Sequence, residues 1–326
     1  MIDRLSLDLD PFANDPGRWG ASLANNAELM LPCLETAGVR SIVEVGAYAG
    51  DLTRLLLDWA AGAGARVWAI DPMPQPELVR LGEEREELEL VRATSLEGLR
   101  RIPAVDAVVL DGDHNYFTVA EELRIVAERA AGEGFPLVLL HDVCWPHARR
   151  DDYYAPDQIP EEARQPVVEG GGLYPGEPGI RPGGLPYRWP AAREGGPRNG
   201  VLTAAEDFVA QRSDLRLVVV PAFFGLGVIF DTDAPWAADL AALLDPWDGN
   251  PLLERLEANR VLHLASSHFQ MREAVHAQQR LAQHEEFLRK LLESGTFAVA
   301  ERLSAARQRG EAAFSKAEIR RLLGEG

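Results

Sequence analysis

Cysteine is nearly absent from this chain of 326 residues. Cys33 and Cys144 are too few to frame a disulfide-stapled fold and fit a reducing compartment, so a cytoplasmic protein is expected. Lysine is just as scarce: of the 33 basic side chains only Lys290 and Lys316 are not arginine, which reads as coding bias more than function. Positive charge is short overall, because 51 acidic side chains leave a net charge of −18. A surface of that sign excludes nucleic acid as the main partner and disfavours an anionic membrane. No apolar run approaches the ~20 residues that a spanning helix needs, so no membrane insertion is expected. The stretch from Met1 to Pro16 is acidic and broken by proline, unlike a signal peptide. What remains is ordinary globular composition, 46% hydrophobic and 26% charged.

Residues 41–145 alternate short apolar runs with helical patterns, the sequence form of a parallel α/β sheet. Strands are predicted at Ser41–Gly46, Arg66–Asp71, Leu88–Arg92, Asp106–Asp111 and Phe135–Asp142, with helices over Gly50–Ala61 and from Asp113 to about Ala131. Each strand ends in a polar or acidic residue, at the end where open α/β sheets place their ligands. Residues 145–200 then hold ten prolines and ten glycines. So long an irregular stretch is a functional loop or a disordered one, and its aromatics (Trp145, Tyr153, Tyr154, Tyr174, Tyr187 and Trp189) favour a packed lid over a spacer. The pattern resumes with a helix over Val201–Arg212 and strands at Leu215–Pro221 and Phe223–Asp231, whose short link implies an antiparallel pair. The expected division is an N-terminal helical segment (1–40), an α/β domain (41–231, with its insert) and a helical tail (232–326).

The segment Glu44-Val-Gly46-Ala-Tyr48-Ala-Gly50 sits on a strand-to-helix turn. Gly46 permits a tight turn and close approach of a ligand, and Gly50 opens the helix. A dinucleotide fingerprint would require glycine where Tyr48 stands, and an acid directly before the turn suits a cationic or hydroxyl-rich ligand. Asp71 ends the second strand 27 residues after Glu44, the usual place for a carboxylate that accepts ribose hydroxyls. Together these features resemble the class I S-adenosylmethionine-dependent methyltransferases, a doubly wound, seven-stranded Rossmann-like fold, and the E-V-G-A-Y-A-G wording is similar to the catechol O-methyltransferase type. The resemblance implies that Glu44, Gly46, Tyr48 and Gly50 hold the amino-acid end of S-adenosylmethionine. It assigns the ribose to Asp71 and the adenine to Thr94 and Ser95, which could equally cap the next helix.

Asp111-Gly-Asp113-His114 follows the fourth strand and His141-Asp142 the fifth. Neighbouring strands of a doubly wound sheet bring both clusters to one crevice, where carboxylates and imidazole can hold a divalent cation. This layout resembles the metal-dependent sugar O-methyltransferases of the macrocin and mycinose type and the cephalosporin-hydroxylase-like group. The resemblance implies Asp111 as a metal ligand also bordering the cofactor, His114 as general base, and His141 with Asp142 as further ligands for Mg²⁺ or Mn²⁺. Asp113 would orient His114. His147, Arg149, Asp151, Asp152, Tyr153 and Tyr154 begin the insert and could grip a polyhydroxylated acceptor, or form a solvated loop.

The expected function is methyl transfer to a hydroxyl of a small-molecule or glycan acceptor, a sugar first. A metal-free N- or O-methyltransferase and an NAD-dependent oxidoreductase are the alternatives, the latter opposed by Tyr48 and the closing antiparallel strand; a scaffolding role would leave Glu44, Asp71, Asp111 and His114 without purpose. In the tail, apolar residues recur at helical spacing, which suggests packing or a homo-oligomer through the C-terminal helices. His263, His268, His276 and His284 do not share a turn there and read as solvated.

Overall fold

The computed structural model describes residues 21–130, 134–307 and 315–324; the first half of the expected N-terminal segment lies outside these. Five parallel strands, β1 (Ser41–Val45), β2 (Arg66–Ile70), β3 (Leu88–Val91), β4 (Ala107–Leu110) and β5 (Leu137–Leu140), lie within the predicted runs. They are followed, after two short insert strands, by the pair β8 (Leu215–Val220) and β9 (Leu226–Asp231). The seven form one sheet in the order β3-β2-β1-β4-β5-β9-β8. Only the contacts of β9 with β5 and β8 are antiparallel. The order reverses between β1 and β4, so the crevice beyond their carboxyl ends is the switch point where ligands bind in open α/β sheets.

Alternation along each strand builds two cores. Ile42, Val67, Ala69, Ala107, Val109, Leu137 and Leu139 face helices α1 (Ala27–Thr36) and α2 (Asp51–Ala63). Val43, Val45, Trp68, Ile70, Val108, Leu110, Val138 and Leu140 face α4 (Ser95–Arg101), α5 (Tyr116–Arg129) and α6 (Val201–Val209). Helix α3 (Pro76–Glu84), between β2 and β3, sends Leu78 to the first core. Both strand faces are therefore apolar, as a sheet covered on two sides demands. In α2 the buried side chains Leu52, Thr53, Leu56, Leu57 and Ala60 make a helical stripe, and left-handed glycines, Gly50 (φ 84°) and Gly64 (φ 66°), bound the helix.

The insert is ordered around two buried charges. Arg150, 1% exposed, donates to the carbonyls of Ala191 (2.6 Å) and Pro178 (2.8 Å). Asp151 is fully buried and accepts from Tyr116 N, Gly200 N and the Tyr153 hydroxyl at 2.7–2.8 Å. A small hairpin, β6 (Gly171–Leu173) with β7 (Leu185–Tyr187), was not foreseen, since prolines and glycines mask so short a pairing. The helical tail opens with α7 (Ala237–Leu244), which buries Ala237, Leu240 and Leu244 in the first core. Helix α8 (Pro251–Glu293) follows, then α9 (Gly295–Arg307) and α10 (Lys316–Leu322). Of the described residues, those up to His268 belong to one compact unit and those from Phe269 onward to another. In the second unit Lys316 N donates to Glu301 Oε1 at 2.8 Å and its ammonium to the Leu292 carbonyl. Among the described residues no helix is long and apolar enough to cross a membrane.

Candidate active site

The turn after β1 is made by three residues in the left-handed region, Gly46 (φ 86°), Tyr48 (φ 43°) and Gly50 (φ 84°). A Cβ on Gly46 would lie 2.1 Å from the carbonyl oxygen of Asp111, so glycine is required for the approach of the β1 and β4 ends to each other. Asp71 closes the loop from the side: its carboxylate accepts from Tyr48 N (2.8 Å) and Met73 N (2.7 Å). Each oxygen keeps a lone pair for a further donor. Tyr48 and Met73 flank it, 55% and 78% exposed.

Three expected cofactor contacts are placed differently. Glu44 shares the α2 face with Ile42, not the crevice; it is 3% exposed and accepts from the Thr53 hydroxyl at 2.6 Å. Burial pushes its carboxyl up to about 8, against the opposing bond from Thr53, so it is a neutral strut beneath the turn. The strand's two-residue period sets this side, and the motif spacing alone did not show it. Thr94 caps α4, accepting from Glu97 N (3.4 Å), and so takes the capping alternative; Ser95 is the first residue of the helix, its hydroxyl against the buried Glu122 carboxyl.

The ends of β4 and β5 carry a chain of side chains. His141 is buried; its Nδ1 lies 3.0 Å from Asp111 Oδ1 and 3.4 Å from Asp142 Oδ2, and its Nε2 lies 2.9 Å from the Phe223 carbonyl. A carbonyl only accepts, so Nε2 carries hydrogen and Nδ1 faces the carboxylates. Burial opposes the charged ring, but Asp111 and Asp142 outweigh it and hold the imidazole up at about 10. Asp142 stands at φ 58°, unusual for a side chain with a Cβ, and its Oδ2 also meets His114 Nε2 at 3.3 Å. Its own burial disfavours ionisation, yet His141, His114 and His147 hold it below the usual carboxylate range.

His114 is thus backed by Asp142. Asp113, expected in that role, instead accepts from the Thr118 hydroxyl (3.1 Å) and from Tyr154 N (3.5 Å), and burial raises it. The reason is the cap of α5: Asn115 takes Thr118 N at 2.9 Å, and the adjacent Asp113 is drawn to the same turn. His147, read from the sequence only as an insert residue, packs its ring 4.6 Å from His114 and is buried; burial, then His114, push it down to about 3. Two groups here can hold a cation, Asp111–His141–Asp142 and His114–Asp142–His147. The close spacing of His147 to Asp142 was the available signal. Other insert residues are structural: Arg149 pairs with Glu206 (2.5 and 2.7 Å), and Asp151 and Tyr153 are committed to each other. Tyr154 alone stands exposed, edge-on to His114 at 5.7 Å.

A family model described as a methyltransferase domain matches residues 43–143, from β1 to just past Asp142. That segment is a methyltransferase domain, and the enzyme class is S-adenosylmethionine-dependent methyltransferase, with S-adenosylmethionine as cofactor. Solved structures of similar fold include an S-adenosylhomocysteine-bound methyltransferase of Podospora anserina, 13% identical with TM-score 0.41, covering 68% of this chain and 84% of that one. A methyltransferase of Geobacter sulfurreducens is 14% identical with TM-score 0.38, covering 65% and 80%. A 1,6-didemethyltoxoflavin-N1-methyltransferase of Burkholderia thailandensis is 14% identical with TM-score 0.38, covering 68% and 83%. The sheet order itself defines the fold. No curated protein matches the chain.

Proposed function

We propose that the chain methylates a hydroxyl of a small-molecule or glycan acceptor, a sugar hydroxyl first, with His114 as general base. The observation that carries this is the His114–Asp142–His141 array at the crevice beside the β1 turn. Bound S-adenosylmethionine supplies an electrophilic methyl group on a sulfonium. The residues of this chain suit it: Asp71 offers free lone pairs at the β2 end, and the Gly46–Gly50 turn lies beside Asp111 at the switch point.

Asp142 Oδ2 lies 3.3 Å from His114 Nε2, which leaves Nδ1 to take the acceptor's proton; a carboxylate behind an imidazole offsets the charge it gains. His114 is 19% exposed, enough to meet a substrate. Positioning of the reacting groups supplies much of the rate, and the insert, fastened by Asp152 N to the His114 carbonyl (2.9 Å), helps exclude water. Asp111, His141 and Asp142 fit Mg²⁺ or Mn²⁺, because His141 already gives its other nitrogen to a carbonyl, as imidazole ligands do. A cation there supplies Lewis acidity that lowers the cost of forming the alkoxide.

The test follows labelled methyl from S-adenosylmethionine onto glycosides, phenols and amines, before and after chelation. Label on oxygen is expected, with about tenfold or greater loss in EDTA and recovery with Mn²⁺. Label on nitrogen overturns the acceptor, and full activity after chelation overturns the cation. We also propose a cytoplasmic protein that associates through its C-terminal helices, where Leu281, Phe287, Val299 and Leu303 are exposed. Light scattering of a chain ending at His268 tests this; an unchanged mass refutes it.

A further inference from the structure

The Phe223 carbonyl that holds His141 belongs to a turn that is costly to form. Phe223 (φ 53°) and Phe224 (φ 66°) are consecutive left-handed residues with full side chains, a conformation normally left to glycine. Their amides point to one carboxylate. Glu257, on α8 well beyond the matched domain and 8% exposed, accepts from Phe223 N (3.2 Å) and from Phe224 N (2.8 Å). Arg260, one turn on, gives two hydrogen bonds of 2.6 Å to the same carboxylate and lies 4.4 Å over the Phe224 ring. The Phe224 carbonyl in turn accepts from Cys144 N at 2.7 Å, so the turn grips the β5 loop at two points, His141 and Cys144.

We propose that Glu257 is a positioning residue of the active site. By holding two adjacent amides it fixes the Phe223 carbonyl, and that carbonyl fixes which edge of the His141 ring turns toward it and which faces Asp111 and Asp142. The tail helix thereby completes a site whose reacting groups all lie on the sheet. The carboxylate suits this better than packing would, since it must accept from two amides and still anchor Arg260. A ring free to flip would present either nitrogen to the carboxylates, and the alignment of Asp142 with His114 would be lost with it. The inference deepens the methyl-transfer reading above and rests on it for the consequence in turnover.

The experiment compares wild type, Glu257→Gln, Glu257→Ala and the double variant Glu257→Ala/Phe223→Gly, with ¹⁵N-histidine labelling. In the wild type His141 gives a slowly exchanging Nε2–H signal. Glu257→Ala should lose or move it, lower kcat about tenfold to a hundredfold with acceptor KM nearly unchanged, and weaken Mn²⁺ binding by a similar factor, while S-adenosylhomocysteine affinity stays within about twofold. Gln offers one acceptor for two amides, so Glu257→Gln should fall between and serves if the alanine variant does not fold. The glycine in the double variant relieves the backbone cost without restoring the carboxylate, and should recover stability but not the His141 signal. A folded Glu257→Ala or Glu257→Gln protein with the wild-type signal and kcat overturns the proposal, as does a double variant that regains both. The histidine signal is read without metal or acceptor, so a wild-type protein that binds no Mn²⁺ counts against the cation and not against Glu257.

Discussion

At the ends of β1 and β2 the polar contacts are made by the main chain: amides of Tyr48 and Met73 on Asp71, and Gly46 against the Asp111 carbonyl. At the ends of β4 and β5 they are made by side chains, His141, Asp111, Asp142, His114 and His147, most of them buried and each close to the next. The first region suits a ligand recognised the same way each time. The second concentrates ionisable groups that burial and neighbours have moved from their ordinary values, as catalysis requires. Binding and chemistry are thus separable by the material each is built from, and variants can test the separation.

The largest effect is expected from His114→Ala, which removes the proposed base and leaves the main-chain region untouched. Turnover should fall about 10²–10⁴-fold while calorimetry gives S-adenosylhomocysteine affinity within about twofold; a joint loss of both would erase the distinction. Gly46→Ala attacks the one place where the regions touch. With its Cβ 2.1 Å from the Asp111 oxygen, it should cost about 3 kcal/mol or more in urea unfolding, and a smaller loss means the loops part easily. Asp71→Asn is the converse of the histidine variant: cofactor affinity should weaken about tenfold to a hundredfold, with kcat at saturating cofactor nearly kept.

The smallest effect concerns Glu122, beneath the β4 loop. Burial raises its carboxyl to about 8, opposed by the Ser95 hydroxyl and aided by Asp113. A raised carboxylate contributes stability that is complete below the unfolded value near 4.5 and is lost as pH rises through about 8. Glu122→Gln cannot titrate, so between pH 5.5 and 7 it should gain roughly 2 kcal/mol relative to wild type. Parallel stability curves for the two proteins would show that Glu122 is not held neutral.

The main-chain region was largely readable in the sequence because its requirements are local. Gly46, Gly50 and Asp71 follow from a turn and a strand end, and the five strands from runs of apolar residues. Glu44 was misplaced by one rule only, the side of the strand on which it falls. The side-chain region was half readable: Asp111, His114, His141 and Asp142 were named, but not which carboxylate backs His114. That choice depends on how two loops cross, and neither spacing nor periodicity records it. Phe223 meets His141 across 82 residues of chain, and Glu257 meets Phe223 across a further 34, through a turn whose backbone no propensity would favour. His147 was visible as a residue but not as a neighbour, since the fold-back of the insert puts it there.

Asp151 and Asn199 bring a different lesson. Asp151 N donates to the Asn199 side chain at 2.7 Å and Gly200 N returns a bond to Asp151, so the two ends of the insert are tied to each other where it leaves and re-enters the domain. Chain between those two points can be lengthened, shortened or exchanged with little consequence for the sheet, because doubling such a loop adds only about 0.6 kcal/mol of closure entropy. A segment tied at its own two ends in this way can be replaced without renegotiating the residues at the ends of the strands.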